Sequence, residues 1–260
     1  MITAITAGID LGAKTVKVVI LKGKEVIGRG IATTGLDQKK SAEKAFDAAL
    51  KEAKIDLKDL DRVVATGVGR TEAPNANSQI TEVGADAKGA IFLNPAIRTV
   101  IDIGGEEGRG IKISPEGRAV DFAINEKCAA GAGAFTEAMA RALERPLKEF
   151  AELALKSTKS IPMNAQCAVF AESEVVSLIH AKTPHEDISR AVHDSIADRI
   201  ISMVRRVGIE KEVLLIGGVA HNVGFVNSLN IGLKLEVIVP EYPEFIGALG
   251  AALVAAEQQE

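Results

Sequence analysis

Two cysteines are the residues of this 260-residue chain whose settings most clearly suggest chemistry. Cys128 lies in KCAAGAGAF and Cys167 in QCAVFAESEV, and helical spacing of apolar side chains begins directly after each. The free N–H groups and the positive dipole end at a helix start favour a thiolate over a thiol. A thiolate there suits a nucleophile or a metal ligand, and two buried cysteines acting as small apolar side chains are the alternative.

Two thiolates per chain are too few for a zinc ion or an iron–sulfur cluster, each of which is held by four ligands. A twofold dimer would supply four, and one [4Fe–4S] cluster would then lie on the axis. There is no C-x-x-C pair, and the four histidines lack the spacing of metal ligands. The residues alone therefore leave the cluster and the two buried cysteines open as alternatives.

A second pattern occurs twice and is suited to phosphate binding. IDLG at residues 9–12 is repeated as IDIG at 101–104, and a cation follows seven residues after each aspartate, at Lys17 and Arg109. Glycine turns let the main chain approach phosphate oxygens, and the aspartates can hold hydrated Mg²⁺ or orient an attacking water. Two such turns would clamp one triphosphate, and two ordinary hairpins are the alternative. A third strand, ending at Gly217–Gly218 before a helix, favours the nucleotide.

The elements that must position these residues alternate in type, which predicts an α/β protein. The repeated turn indicates a duplicated fold, with lobes at 1–113 and 114–260. Ser41 is the predicted N-cap of the first helix, and Pro146 separates two later ones. Predicted strands cover residues 4–13, 16–21, the segment KGKEVIGRGIA, RVVATGVGR, two strands within 96–113, 213–220 and LEVIVP. Predicted helices cover residues 39–53, 134–143, 147–156, 169–181, 187–206, a stretch from about 223 and FIGALGAALVAAEQ.

The composition narrows the class of protein. Apolar residues make up 47% of the chain but aromatic residues only 3%, so aliphatic side chains must fill the core. The formal net charge of −4 argues against a nucleic-acid partner. No apolar run reaches the ~18 residues of a membrane span, and the N-terminus does not resemble a signal peptide. We therefore expect a cytoplasmic protein without a membrane or nucleic-acid partner, in which thiols stay reduced.

The segments GIDLGAKTVK, IDIGGEEGRG and LLIGGVAHN resemble the two phosphate motifs and the adenosine motif of the actin, sugar-kinase and Hsp70 superfamily. The resemblance implies two ribonuclease-H-like lobes around a nucleotide cleft that holds ATP and Mg²⁺. The candidate catalytic residues are Asp10, Asp102 and Glu106. The candidate cofactor-binding residues are Gly12, Ala13, Lys14, Thr15, Lys17, Gly104 and Gly105 for the phosphates, and Gly217 and Gly218 for the adenosine.

KCAAGAGAF and QCAVFAESEV are similar to motifs of the 2-hydroxyacyl-CoA dehydratase activators and the ATPase subunits of benzoyl-CoA reductase, and further motifs follow in the family's order. This resemblance implies a homodimer, or a heterodimer of similar subunits, with one shared [4Fe–4S] cluster on Cys128 and Cys167. It also implies ATP hydrolysis coupled to electron transfer. A donor such as ferredoxin or flavodoxin would supply the electron, and an iron–sulfur acyl-CoA dehydratase or reductase would receive it.

The chain departs from the activator pattern at three places. Glu106 stands where the activators usually have glutamine, so its carboxylate would act as a general base or repel the γ-phosphate, with Arg109 nearby to offset its charge. Lys14 stands in a turn that commonly has small hydroxyl residues, and Ala85–Asp86 stand where many relatives have Cys and His. The Glu106–Arg109 run favours the reductase-type subunit over the activator.

Two other functions fit the nucleotide motifs. A small-molecule kinase of the same superfamily would need no metal cluster and no cysteine at a helix start. An ATP-binding regulator or scaffold would bind nucleotide without hydrolysing it. Bound iron in anaerobically purified protein separates the first of these from the electron-transfer ATPase, and ATP turnover separates the second.

Overall fold

The computed structural model describes residues 4–125, 133–163 and 168–258, which form nine strands and eight α-helices. The strands are β1 (Ile5–Leu11), β2 (Thr15–Lys22), β3 (Glu25–Thr33), β4 (Arg62–Thr66), β5 (Ser78–Gln79), β6 (Thr99–Ile103), β7 (Gly108–Ile113), β8 (Ala119–Asn125) and β9 (Val213–Ile216). The helices are α1 (Gln38–Ala53), α2 (Glu82–Leu93), α3 (Gly133–Ala142), α4 (Leu147–Ala154), α5 (Ala168–His180), α6 (His185–Val204), α7 (Val223–Leu233) and α8 (Ile246–Glu257).

The chain divides into two compact units. The first contains the chain up to Ile97, Ile113–Val120 and the chain from Glu244 onward, and the second contains Arg98–Lys112 and Asp121–Pro243. This division differs from the continuous lobes expected at 1–113 and 114–260. The difference arises because β6 and β7 share a sheet with β9, whereas α8 packs on β1.

The first unit is built on a five-stranded sheet with the order β3-β2-β1-β4-β5. β1 pairs antiparallel with β2 and parallel with β4. Ala7 and Ile9 face the core formed with α1, whereas Gly8, which points the other way, lies against the backbone of α8. Helices therefore cover both faces of this sheet.

The second unit repeats this plan in a four-stranded sheet with the order β8-β7-β6-β9. β6 pairs antiparallel with β7 and parallel with β9, as β1 does with β2 and β4. Its core contains Phe135 of α3, Phe150 of α4 and Phe225 of α7 among aliphatic side chains. The shared strand order confirms the predicted duplication and the ribonuclease-H-like plan of each lobe.

The start of α1 corrects one detail of the predicted elements. Asp37, not Ser41, is the N-cap, and its carboxylate accepts a hydrogen bond from the N–H of Lys40 at 3.0 Å. Ser41 lies inside the helix, where its hydroxyl donates to the carbonyl of Asp37. An aspartate caps a helix as well as a serine does, so the helix begins one turn earlier, after Asp37. Pro146 does separate α3 from α4, as predicted.

His193 is a buried titratable residue in the second unit. The His193 side chain is fully buried, its Nδ1–H donates to the carbonyl of Ser189 at 2.7 Å, and its ring lies 5.0 Å from that of Phe150. Burial lowers the pKa of His193 from 6.5 to about 4, although the Ser189 hydrogen bond acts in the opposite direction. The unfolded chain therefore binds this proton at a higher pH than the folded chain.

Acidification should destabilise the protein through His193. Stability falls as the pH drops below the unfolded pKa of about 6.5, and the loss is complete only below the folded pKa of about 4. Between pH 7 and pH 5 we expect a loss of about 2 kcal/mol in the free energy of unfolding, measured with urea. His193→Leu should lose that much less over the same interval than the parent does. His180→Gln, at the exposed end of α5, should follow the parent, and equal losses in the parent and His193→Leu would refute the assignment.

Candidate nucleotide site

The first phosphate turn connects β1 to β2 and places an ion pair at the end of the strands. Asp10 and Lys17 are register partners, and the Lys17 Nζ lies 3.0 Å from the Asp10 Oδ2. Both side chains are largely buried, with exposed fractions of 17% for Asp10 and 14% for Lys17. A carboxylate fixed at this edge has hard oxygen atoms of the kind that Mg²⁺ and its water shell prefer.

The backbone of this turn is held from both sides. The Gly12 N–H donates to the carbonyl of Thr15 at 3.2 Å, and the carbonyl of Gly12 accepts from the Thr34 hydroxyl at 2.8 Å. The carbonyl of Lys14 accepts from the N–H of Thr34 at 2.9 Å. Ala13, between them, is exposed. The predicted residues Gly12, Ala13, Lys14, Thr15 and Lys17 are thus brought together in one ordered turn.

The second phosphate turn reproduces the same ion pair. Asp102 and Arg109 are register partners between β6 and β7, and their Oδ2 and Nη1 atoms are 2.6 Å apart. Arg109 also pairs through Nη2 with Glu107. Glu106 is exposed at the tip of the turn. The ion pairs that the structure describes for Arg109 are those with Glu107 and Asp102, and Glu106 is not among them.

The turn at Gly104–Gly105 is hydrogen-bonded to the start of α3. The carbonyl of Gly104 accepts from the N–H of Gly133 at 2.9 Å, and the carbonyl of Gly105 accepts from the N–H of Ala134 at 2.9 Å. Cys128 and Cys167 both lie outside the described residues, and α3 and α5 are the helices that follow them. Two hydrogen bonds therefore connect the Gly104–Gly105 backbone directly to the helix that follows Cys128.

Glycines after the parallel strands complete the repeat. Gly217 follows β9 with a φ of +86°, and a β-carbon there would lie 2.6 Å from the Asp102 Oδ1. Gly67 follows β4 with a φ of +92°, and its β-carbon would lie 2.5 Å from the Asp10 Oδ1. Both conformations and both close approaches require glycine. Gly217 belongs to the predicted set. The sequence pattern did not place Gly67 at the site, although the ATGVGR segment that contains it is a predicted glycine turn.

Gly218 begins a 3₁₀ helix, Gly218–His221, and a β-carbon on Gly218 would meet nothing within 4 Å. The Gly217 N–H donates to the carbonyl of Pro243 at 2.9 Å, which fixes the start of this turn. Asn222 then caps α7, with its Oδ1 accepting from the N–H of Phe225 at 3.0 Å. The predicted adenosine residues Gly217 and Gly218 therefore form an open turn, and hydrogen bonds hold the chain before and after it.

Side chains that could bind a metal ion are identified among the residues that the structure describes. Among them, no group of three or more His, Cys, Asp or Glu side chains converges as a metal site. Mg²⁺ that is bound with a nucleotide needs only one or two carboxylates, since phosphate oxygens and waters supply its other ligands. Asp10 in the first unit and Asp102 in the second each present one such carboxylate at the end of a strand.

In the part of the chain that the structure describes, no helix has the length and apolar character needed to cross a membrane.

The two sheets of the same strand plan, each covered by helices, are the architecture of the actin-like ATPases. A ROK-family glucokinase from Streptomyces griseus shares the fold, with a TM-score of 0.59 over 98% of this chain and all of that one, but only 14% identity. More specifically, the chain belongs to the BadF/BadG/BcrA/BcrD ATPase family, whose model matches residues 7–255. Membership of this ATPase family implies that the chain binds ATP.

Relatives in this family match nearly the whole chain. The activator of lactoyl-CoA dehydratase from Anaerotignum propionicum is 42% identical over 97% of both chains. A benzoyl-CoA reductase subunit from Thauera aromatica is 32% identical over 98% of this chain and 94% of its own. The crystal structure of component A of the Acidaminococcus fermentans (R)-2-hydroxyglutaryl-CoA dehydratase has a TM-score of 0.94 at 38% identity, with 98% of both chains covered.

Proposed function

We propose that this chain is an ATP-hydrolysing activator that drives low-potential electron transfer to a partner acyl-CoA dehydratase or reductase. One observation carries the proposal: the second phosphate turn is hydrogen-bonded through Gly104 and Gly105 to the first residues of α3, five residues after Cys128. If the nucleotide at this turn changed, the turn's shift would therefore move the start of the helix that follows Cys128. The names of the relatives at 42% and 32% identity support the same role.

In this proposal Cys128 and Cys167 bind one [4Fe–4S] cluster together with the same residues of a second subunit. A homodimer provides the four thiolates, and a heterodimer with a similar subunit would do so as well. The cluster would supply one-electron chemistry at low potential. The protein would act in the cytoplasm, where reduced thiols persist, and would receive its electron from a ferredoxin or flavodoxin.

The two phosphate turns would bind Mg-ATP. Asp10 and Asp102 would hold the hydrated Mg²⁺, and Lys17 and Arg109, which now neutralise them, would move towards phosphate oxygens. The main chain at Gly12–Thr15 and Gly104–Gly105 would lie against the phosphates, with the Lys14 ammonium beside it. The N–H groups of Gly12 and Gly104 already donate within their turns, to Thr15 and Glu107, so other N–H groups of the turns would make the phosphate contacts. The open turn at Gly217–Gly218 would contact the adenosine.

Glu106 would orient or deprotonate the attacking water. Its exposed carboxylate at the tip of the second turn would be accessible to the water shell of a bound nucleotide. The Glu107 carboxylate, in contrast, forms an ion pair with Arg109. In the ion pairs that the structure describes, Arg109 is paired with Glu107 and Asp102. An ionised carboxylate can accept a proton from water, which is the property that a general base needs.

The higher identity of the lactoyl-CoA dehydratase activator favours a dehydratase as the partner, against the preference for a reductase that the Glu106–Arg109 run suggested. The iron–sulfur partner would accept the electron and reduce a CoA thioester. The kinase alternative is supported only by the shared fold, because the glucokinase is only 14% identical to this chain. At that identity a likeness of structure says nothing about the reaction.

The function is tested with anaerobically purified full-length protein. We expect a brown protein that hydrolyses Mg-ATP and, when reduced, passes electrons to a 2-hydroxyacyl-CoA dehydratase component only while ATP is hydrolysed. The control omits ATP or replaces it with a non-hydrolysable analogue, which should stop the transfer. Iron-free protein that phosphorylates a sugar or acid would establish the kinase instead. Iron-free protein that binds ATP without turnover would establish a regulator.

A further inference from the structure

A buried hydroxyl group beside the first phosphate turn has no part in the catalysis proposed above. Thr66 is the last residue of β4, with an exposed fraction of only 1%. Among the residues that the structure describes, its Oγ1 atom has no hydrogen-bond partner. A buried hydroxyl without a partner destabilises the fold, because it has given up its hydrogen bonds to water. Such groups are uncommon in folded proteins, and a role at a functional site is one explanation for them.

Thr66 is aligned with Asp10 in the sheet. The two are register partners in the parallel pair of β4 and β1, and neighbouring strands lie about 4.8 Å apart. On the other side of β1, Lys17 is the register partner of Asp10 and pairs with its Oδ2 atom. The Asp10 Oδ1 atom is near β4, since a β-carbon on Gly67, the residue after Thr66, would lie 2.5 Å from it. Thr66 therefore lies on the side of Asp10 that is opposite to Lys17.

The side chains of Thr66 and Asp10 share the face of the sheet that α8 covers. On β1, the Thr6 hydroxyl donates to a carbonyl of α8 at 3.2 Å, and Thr6 is four residues before Asp10. On β4, Val64 packs against alanines of α8 two residues before Thr66. Side chains alternate between the two faces along a strand, so residues two or four apart lie on the same face. The Thr66 hydroxyl and the Asp10 carboxylate are therefore neighbours on this face.

The second unit has no hydroxyl at the corresponding position. Ile216 ends β9 and is the register partner of Asp102, as Thr66 is of Asp10. Ile216 is also buried, with an exposed fraction of 1%. The strand plan therefore accepts an apolar β-branched side chain beside its aspartate, and the Thr66 hydroxyl is not needed to build the turn.

We propose that Thr66 is a positioning residue whose hydroxyl donates a hydrogen bond to the Asp10 carboxylate when Mg-nucleotide is bound. This inference rests on the proposed binding of Mg-ATP, in which Lys17 leaves Asp10 for a phosphate oxygen. Asp10 then loses its donor on the β2 side, and Thr66 lies on the β4 side. A hydrogen bond from the hydroxyl replaces the lost one and holds the carboxylate towards the hydrated Mg²⁺. The same bond gives the Thr66 hydroxyl a partner.

The test measures two properties of the full-length protein, the Mg²⁺ concentration needed for ADP binding and the midpoint of thermal unfolding. Thr66→Val keeps the shape of the side chain and removes the hydroxyl. In calorimetric titrations it should raise the half-saturating Mg²⁺ concentration about threefold to tenfold, the effect of one lost hydrogen bond. Without nucleotide it should unfold about 2 °C above the parent, because an unpaired buried hydroxyl is removed. A residue with a purely structural role would not give these opposite changes.

Two further variants are matched controls. Thr6→Val removes a buried hydroxyl from the same face of the same sheet, but that hydroxyl already has a partner in α8. It should lower the unfolding midpoint and leave the Mg²⁺ requirement unchanged. Thr66→Ser keeps the hydroxyl and should need about as much Mg²⁺ as the parent. If it needs as much as Thr66→Val does, the lost methyl group causes the effect and the inference is wrong.

The remaining outcomes separate the inference from the proposed function. A parent protein that binds no ADP with Mg²⁺ would refute both. If the parent binds it and Thr66→Val has the same Mg²⁺ requirement, only the role of Thr66 is refuted. A Thr66→Val variant that does not fold, or is less stable than the parent without nucleotide, would show that the hydroxyl already stabilises the free protein. That result would also overturn the inference.

Discussion

Replacing either Cys128 or Cys167 with serine is expected to abolish iron binding while ATP binding survives. A [4Fe–4S] cluster needs four ligands, and removal of one thiol per chain removes two from a cluster shared by two chains. The phosphate turns are built from β1–β2 and β6–β7, so the loss of a cysteine does not dismantle them. Iron and protein assays on anaerobically reconstituted protein should give about four iron atoms per two chains for the parent and close to none for either variant.

Asp10→Asn is the reciprocal control for the cysteine variants. It removes a charge from a phosphate turn and leaves both thiols in place, so it should keep its iron and lose ATP turnover. Exposure to air should bleach the parent, because the proposed cluster would lie between two subunits, where solvent and oxygen would reach it. Four iron atoms per single chain, or iron retained after both cysteines are replaced, would contradict a shared cluster.

Local spacing made the two hairpins predictable, because each glycine turn and its flanking apolar residues are neighbours in the chain. The match between the two segments then predicted the duplicated sheets, and the structure confirms both features. The repeated pattern included a cation seven residues after each aspartate, but its pairing with that aspartate was not predicted and comes from the structure.

Other parts of the site could not be predicted from the sequence, because they depend on packing between residues that are far apart in the chain. Gly67 approaches Asp10 only because β4 pairs parallel with β1, and Gly247 approaches it only because α8 packs against β1. The sequence also did not predict α2, since glycines at 84 and 89 lower its helix propensity and its small side chains give no clear apolar stripe. The fold explains the second of these glycines, because the position of a β-carbon on Gly89 meets the carbonyl of Ile246 at 2.5 Å.

Asp10→Asn and Asp102→Asn are each expected to lower Mg-ATP turnover at least tenfold, a loss of about 1.4 kcal/mol of transition-state stabilisation. Each aspartate is fixed by a cation on the neighbouring strand and by a glycine directly beside its carboxylate, so the amide would fill the same space without the charge. The loss should therefore appear in turnover and in Mg²⁺ dependence. Steady-state phosphate release over a range of ATP and Mg²⁺ concentrations measures it.

Two further variants make this experiment decisive. Asp121→Asn changes an exposed aspartate on β8 and should leave turnover unchanged, which controls for the removal of a charge from the second unit. Glu106→Gln keeps the buried ion pairs, so it should change the rate and its pH dependence only if the Glu106 carboxylate acts on the attacking water. Parent-like turnover in both Asp10→Asn and Asp102→Asn would refute the assignment of the two turns. A tenfold loss in only one of them would place the Mg²⁺ contact in that unit, because both aspartates are largely buried and each is paired with a cation on the neighbouring strand.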